Sequence, residues 1–305
     1  MIGLDTSHVI AFTRVFNDPQ AKGELHDIQV VAGYPGGTDF PPSATRVEGF
    51  TEQLRGMGIE IVDSIPQLLE KVDVVLLESV DGRPHLEQVL PVLKAGKPVF
   101  IDKPVAGSLQ DAITIFEAAK LYEVPVFSSS SIRFHAAPQR IRNGEIGEVL
   151  GCDTHGPCSI EPSHPDLFWY GIHGVEGLFT CMGTGCDVVT RVTTDDFDMV
   201  VGRWKNGRIG SFRGLRAGKI KSGGIAFGSQ AVLSYEHSDG YQPMLVEVAK
   251  FFRTGQPPVS AEETIEIMAF MEAADESKRR GGAPVSIDHV MSKARKSTAG
   301  PTSVR

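Results

Sequence analysis

Short apolar runs alternate with helically spaced stretches through the first 125 residues. The runs at 28–32, 60–62, 72–77, 98–101 and 124–127 are rich in Val and Ile, as strands buried on both faces should be. Between them Val9, Phe12, Val15 and Phe16 fall on one helical face. Leu86, Val89, Leu90 and Leu93 do so again, with Gly96 as a stop. Strand and helix in alternation predict a parallel, doubly wound sheet, an α/β unit over 1–127.

Beyond residue 127 the pattern changes to longer alternating segments. Those at 187–193, 199–204 and 209–213 read as antiparallel strands, with Asn206-Gly207 as the turn between the last two. Helical spacing returns at 244–254 and 261–280, where Ser260 and Glu263 form a capping-box pattern. A second, α+β domain with an open, mainly antiparallel sheet is expected over 128–292, followed by a basic, disordered tail at 293–305. Val188, Val192, Val200 and Ile209 are expected to give this sheet an apolar outer face, which predicts a homo-oligomer.

Composition narrows the function classes. The 305 residues suit about two domains with ample core, and 41% hydrophobic with 22% charged residues is ordinary globular usage. A formal charge of -8 argues against nucleic acid and anionic membrane as partners. No apolar run approaches the ~18 residues of a membrane span, and the start lacks the pattern of a secretory signal. Cys152, Cys158, Cys181 and Cys186 match no standard metal spacing and are expected to be reduced, buried thiols of a cytoplasmic protein.

The first strand-to-helix turn is where such a sheet holds a ligand. Here it reads I-G-L-D-T-S-H-V: Gly3 fits the first glycine of G-x-G-x-x-G, while Asp5 and His8 stand at the other two. A carboxylate at Asp5, ~5 Å from a pyrophosphate, would repel it by about 3 kcal/mol at an effective dielectric near 20. Thr6, Ser7 and the helix start offer hydroxyl and amide donors that suit a phosphate or cap the helix. Only Met1 and Ile2 precede Gly3, so the first strand is short: the start falls late in the chain or the sheet lacks much of a central strand. No carboxylate follows the second strand directly, and Asp39 and Arg46 leave NAD or NADP open.

The stretch from Gly96 to Pro104, ending Asp102-Lys103-Pro104, resembles the E-K-P region of the Gfo/Idh/MocA family of sugar and polyol oxidoreductases, with Asp102 for the usual glutamate. Gly144 to Val149 is similar to the family's entry into its second domain, and Phe251 to Pro258 to a late family segment. Tyr170-Gly171-Ile172-His173 resembles the D-x-G-x-H motif without its leading aspartate, and Glu176 follows. The resemblance implies a Rossmann-like cofactor domain and a substrate domain. Lys103 and His173 would be the catalytic pair, one taking the hydroxyl proton of a carbinol while the other orients its oxygen. It further implies that Gly3, Asp5, Thr6, Ser7, His8, Ser79, His85, Asp102, Lys103 and Pro104 lie along NAD or NADP. Arg133, Tyr170, His173 and Glu176 would face a sugar or polyol. Glu78 is an acidic intrusion in the fourth-strand loop, and no metal ligands are assigned. Two alternatives stay open: a lyase or hydrolase using a retained cofactor without net redox change, and a non-catalytic sugar-binding protein.

Overall fold

The computed structural model describes residues 1–237 and 239–298, which divide into two units. The first comprises 1–107, 114–129 and 241–261. Its strands are all parallel: β1 (Ala32–Gly33) pairs with β2 (Glu60–Ile61), while β3 (Val75–Leu77), β4 (Val99–Asp102) and β5 (Val126–Ser129) stand in that order. Every residue of β3, β4 and β5 is buried, the both-faces-covered condition read from the Val and Ile runs. The doubtful first strand is reduced to one residue. Ile2 bridges in parallel to Tyr34 on one side and Leu77 on the other, so the two small sheets continue into each other.

Helix His8–Phe16 buries Val9, Phe12 and Phe16, the face its spacing predicted. Helix Gln242–Thr254, expected in the second domain, belongs to this unit: Phe251 stacks edge-on to Phe127, ring centroids 4.8 Å apart, and Phe127 lies 5.1 Å from Phe100. Gly255 closes that helix in the left-handed conformation (φ 69°) that glycine adopts at least cost.

The second unit holds 108–113, 130–240 and 262 onward. Its strands are β6 (Val149–Pro157), β7 (Cys186–Thr193), β8 (Phe197–Trp204), β9 (Ile209–Leu215), β10 (Gly223–Gly228), β11 (Val232–Glu236) and β12 (Val285–Ser286). They form one sheet in the order β11-β10-β6-β9-β8-β7-β12, antiparallel except where β6 runs parallel to β9. Helix Gly171–Met182 lies on β6 and β9. Phe179, Trp204 and Phe270 meet beneath it, with Phe179 centroids 5.6 and 5.5 Å from the other two.

Two expectations change. Val200 is fully buried, on the covered face with Asp198 and Trp204; the outer face instead shows Val192, Val201 and Ile209, exposed at 63, 36 and 58%. Helix Ile287–Thr298 runs into the stretch expected as a tail, and the rest of that expectation, 299–305, lies outside the described residues. The four cysteines are free and buried. No helix among the described residues is long and apolar enough to cross a membrane.

Candidate functional site

In the first unit the loops at the carboxyl ends of the parallel strands converge, where doubly wound sheets bind ligands. Gly3 keeps a left-handed φ of 82°, and a Cβ there would overlap the Ser79 main chain and hydroxyl. The first fingerprint glycine thus survives for a physical reason. Asp5 does not act as expected. Its carboxylate is fully buried and points inward, accepting from Ser43 Oγ at 2.5 Å and from the Val80 amide at 2.8 Å. Burial raises its pKa, with both hydrogen bonds opposing. Asp5 therefore clasps the 40s and 80s loops together, with its carboxylate turned away from the surface of the turn.

Thr6 is buried and Ser7 exposed at the start of helix His8–Phe16; Thr6 Oγ1 accepts from the His8 amide at 3.4 Å. Ser7 makes no side-chain capping bond. His8, at the third glycine position, directs Nδ1 at Asp102 Oδ2, 2.7 Å away, and lies 4.0 Å from Glu78 Oε2. Its ring stacks on Phe12 and meets Tyr241 edge-on. Burial would raise the Asp102 pKa, but His8 and Lys103 outweigh it and hold the carboxyl down at about 2. Glu78 goes the other way: burial, then the charge of Asp102, push it well up.

Ser79 and His85 turn inward. Ser79 Oγ donates to Gln88 Oε1 at 2.8 Å. Both ring nitrogens of His85 face main-chain carbonyls, of Ser79 at 2.9 Å and Val105 at 3.2 Å, and the ring is fully buried. Burial lowers the pKa of His85 against those bonds. Both residues brace the loop from behind; neither ring nitrogen of His85 is left for a ligand. Asp81, beside them, accepts from the Arg83 amide and guanidinium and from Thr38 Oγ1. Lys103 is partly exposed directly after β4, followed by a cis peptide to buried Pro104.

In the second unit, His173 sits in the first turn of helix Gly171–Met182 with Nδ1 2.7 Å from Ser130 Oγ, and exposed Tyr170 lies 5.9 Å away ring to ring. Ser130 was not picked out from sequence; the Ser128–Ser131 run at the end of β5 is the signal that could have found it. Arg133 and Glu176, expected at substrate, are 2 and 3% exposed and ion-paired through Arg133 Nε. Arg133 Nη1 also donates to Glu263 Oε1 at 2.8 Å, and Arg142 Nη2 to Glu263 Oε2 at 3.0 Å. Glu263, read as a capping residue, thus joins a buried charge network; burial raises its pKa, but the two arginines bring it below the usual range.

The turn at Gly3, tight enough to exclude a Cβ, and the helix start with Thr6 and Ser7 fit a dinucleotide; the acidic face at Glu78 and Asp102 is foreign to it.

Residues 41–129 match the sequence model of the GFO_IDH_MocA family, described as an oxidoreductase family with an NAD-binding Rossmann fold. The chain is 30% identical over 166 residues to myo-inositol 2-dehydrogenase of Thermotoga maritima, covering 52% of this chain and 44% of that protein. Its match spans less than half the length of the curated relatives. In fold it resembles a probable dehydrogenase from Thermotoga maritima, with a TM-score of 0.76 at 20% identity over 95% of this chain and 98% of that one. It also resembles scyllo-inositol dehydrogenase from Lactobacillus casei with bound NAD(H) and scyllo-inositol, with a TM-score of 0.72 at 14% identity, covering 94 and 98%. The family match thus covers 41–129 in sequence, and the fold resembles those solved structures over nearly the whole chain.

Proposed function

We propose that this protein is an NAD(P)-dependent oxidoreductase acting on a secondary carbinol of a cyclic polyol or sugar. The observation that carries the reading is the position of Lys103: it follows β4 directly, at the ligand-binding end of a parallel sheet, within the segment that matches the NAD-binding family. Thr6, Ser7 and the first turn of helix His8–Phe16 would hold the diphosphate, with Gly3 allowing the close approach. When bound, the nicotinamide supplies the hydride acceptor. Lys103 and His173 then divide the remaining work, one accepting the hydroxyl proton as the carbon–hydrogen bond breaks and the other orienting the oxygen. Ser130 holds the His173 imidazole through Nδ1, fixing its orientation. Tyr170, exposed beside it, offers a phenol and a ring face to substrate.

Calorimetric titration of NAD and NADP, followed by assays of inositols and hexoses for NAD(P)H formation, tests the reading. Lys103→Met and His173→Ala should each lower turnover at least a hundredfold with cofactor affinity nearly kept. Turnover retained in both removes the assignment. Product without reduced cofactor points to the non-redox lyase or hydrolase, and absence of cofactor binding to a sugar-binding protein.

Four free thiols favour a reducing compartment, the cytoplasm. The exposed Val192, Val201 and Ile209 support a homo-oligomer formed through the sheet of the second unit. Light scattering on Val192→Lys/Ile209→Lys checks this, with a smaller particle expected.

A further inference from the structure

Glu78 is completely buried, yet neither of its carboxylate oxygens has a hydrogen-bond partner. A buried carboxyl without a bond forfeits its hydration and receives nothing in exchange. Strand ends place two other donor groups beside it. His8 opens the first helix, Asp102 ends β4, and Glu78 follows β3, so the three are distant in sequence and adjacent in space. One ligand atom from each lies within 4.8 Å of the others, with Nδ1 of His8 2.7 Å from Asp102 and 4.0 Å from Glu78. We propose that His8, Glu78 and Asp102 form a binding site for a divalent transition-metal cation.

The donor set states the class of ion. One imidazole with two carboxylates suits borderline cations such as Zn²⁺ and Mn²⁺ better than Mg²⁺ or Ca²⁺, which prefer all-oxygen shells. Ligands about 2.1 Å from a tetrahedral ion stand about 3.4 Å apart. Glu78 therefore has to move inward toward both partners, from 4.0 Å on the His8 side, while His8 and Asp102 part from 2.7 Å. His8 is partly exposed, which leaves a path for entry, whereas the two carboxylates lie beneath it. Other titratable groups within range are Lys103, the Met1 amine, whose pKa burial lowers to about 5, and Asp5, already tied to Ser43 and Val80. A bound cation gives Glu78 a partner and neutralises the two carboxylates of the acidic face beside the first turn. This site goes beyond the redox reading and does not depend on it.

Metal-stripped full-length protein titrated calorimetrically with Zn²⁺, Mn²⁺ and Mg²⁺ tests the site. One equivalent of Zn²⁺ or Mn²⁺ should bind, with Mg²⁺ at least tenfold weaker. Glu78→Gln and His8→Ala should each weaken binding tenfold or more, while exchange of the exposed His289→Ala leaves it unchanged. No binding by the native chain, or equal binding by both variants, overturns the proposal. Should a variant fail to fold, electron paramagnetic resonance of the Mn²⁺-loaded native protein decides: coupling to a histidine nitrogen supports the site, and its absence refutes it.

Discussion

Replacing Arg133 by Met keeps an apolar stem of similar length and removes the guanidinium from a site where it is 2% exposed. Glu176 then loses its contact with Nε, and Glu263 loses the 2.8 Å bond from Nη1 while keeping Arg142. Deleting one partner of a buried pair costs about 3–5 kcal/mol, because the remaining charge stays desolvated. The second unit contains both tryptophans, Trp169 and Trp204, so fluorescence during urea unfolding reads that unit selectively. Arg133→Met should lose at least about 3 kcal/mol at pH 7, and Arg133→Met/Glu176→Gln should recover part of it. The pH dependence has a definite sign. With its pKa depressed in the fold, Glu263 contributes stability above its unfolded value near 4.3, and that contribution disappears as pH falls through the lower folded value. In the variant Glu263, deprived of one arginine, protonates more readily, so the gap between the two proteins narrows in acid. A variant within about 1 kcal/mol of the parent at pH 7, with a gap independent of pH, would refute the reasoning.

A second test concerns Asp275, whose Oδ1 accepts from Arg191 at 2.6 Å while Oδ2 has no partner. Burial pushes its pKa up to about 7 despite that contact, because the same guanidinium also serves Asp198 and Asp166. The raised value means a contribution present in full below about pH 4 and lost as pH rises through 7, on the order of 4 kcal/mol at most at 1.36 kcal/mol per pH unit. Asp275→Asn should flatten the fall in unfolding free energy between pH 5 and 8; an unchanged slope counts against the assignment. Gly174→Ala places a methyl in the ring of Phe212, and a loss of about 1–3 kcal/mol by thermal circular dichroism is expected; an unchanged melting temperature means the helix shifts freely.

The parallel core was legible because β3, β4 and β5 are buried on both faces and carry no alternation to misread. What escaped has identifiable causes. β6 and β10 contain Gly151, Gly156, Gly223, Gly224 and Gly228, which blank out the polar–apolar alternation; at Gly223 and Gly228 a Cβ would overlap neighbouring main chain. Val200 was assigned to the wrong face because β8 has period two, and its exposed set runs through Phe197 and Val201. In the candidate site, Lys103 and His173 are proposed through resemblance alone. The inward turn of Asp5 depends on Ser43, and the pairing of Arg133 with Glu176 on a fold that brings positions 43 apart together. No local spacing announces such partners.

The bridge at Ile2 concentrates continuity in a single rung. Its amide donates to Leu76 and its carbonyl accepts from Glu78, while the adjoining Gly3 amide and Met1 carbonyl serve Tyr34. The Met1 amine and the Leu4 amide add bonds to the Ala32 and Pro35 carbonyls, so this four-residue segment holds the β1 side by four main-chain bonds and β3 by two, and the β1–β2 ribbon hangs on β3 through it. Deuterium uptake at Gly3 and Tyr34 would then outpace uptake at Phe100 and Phe127, and the half of the sheet nearest the second-strand turn would be the first to loosen.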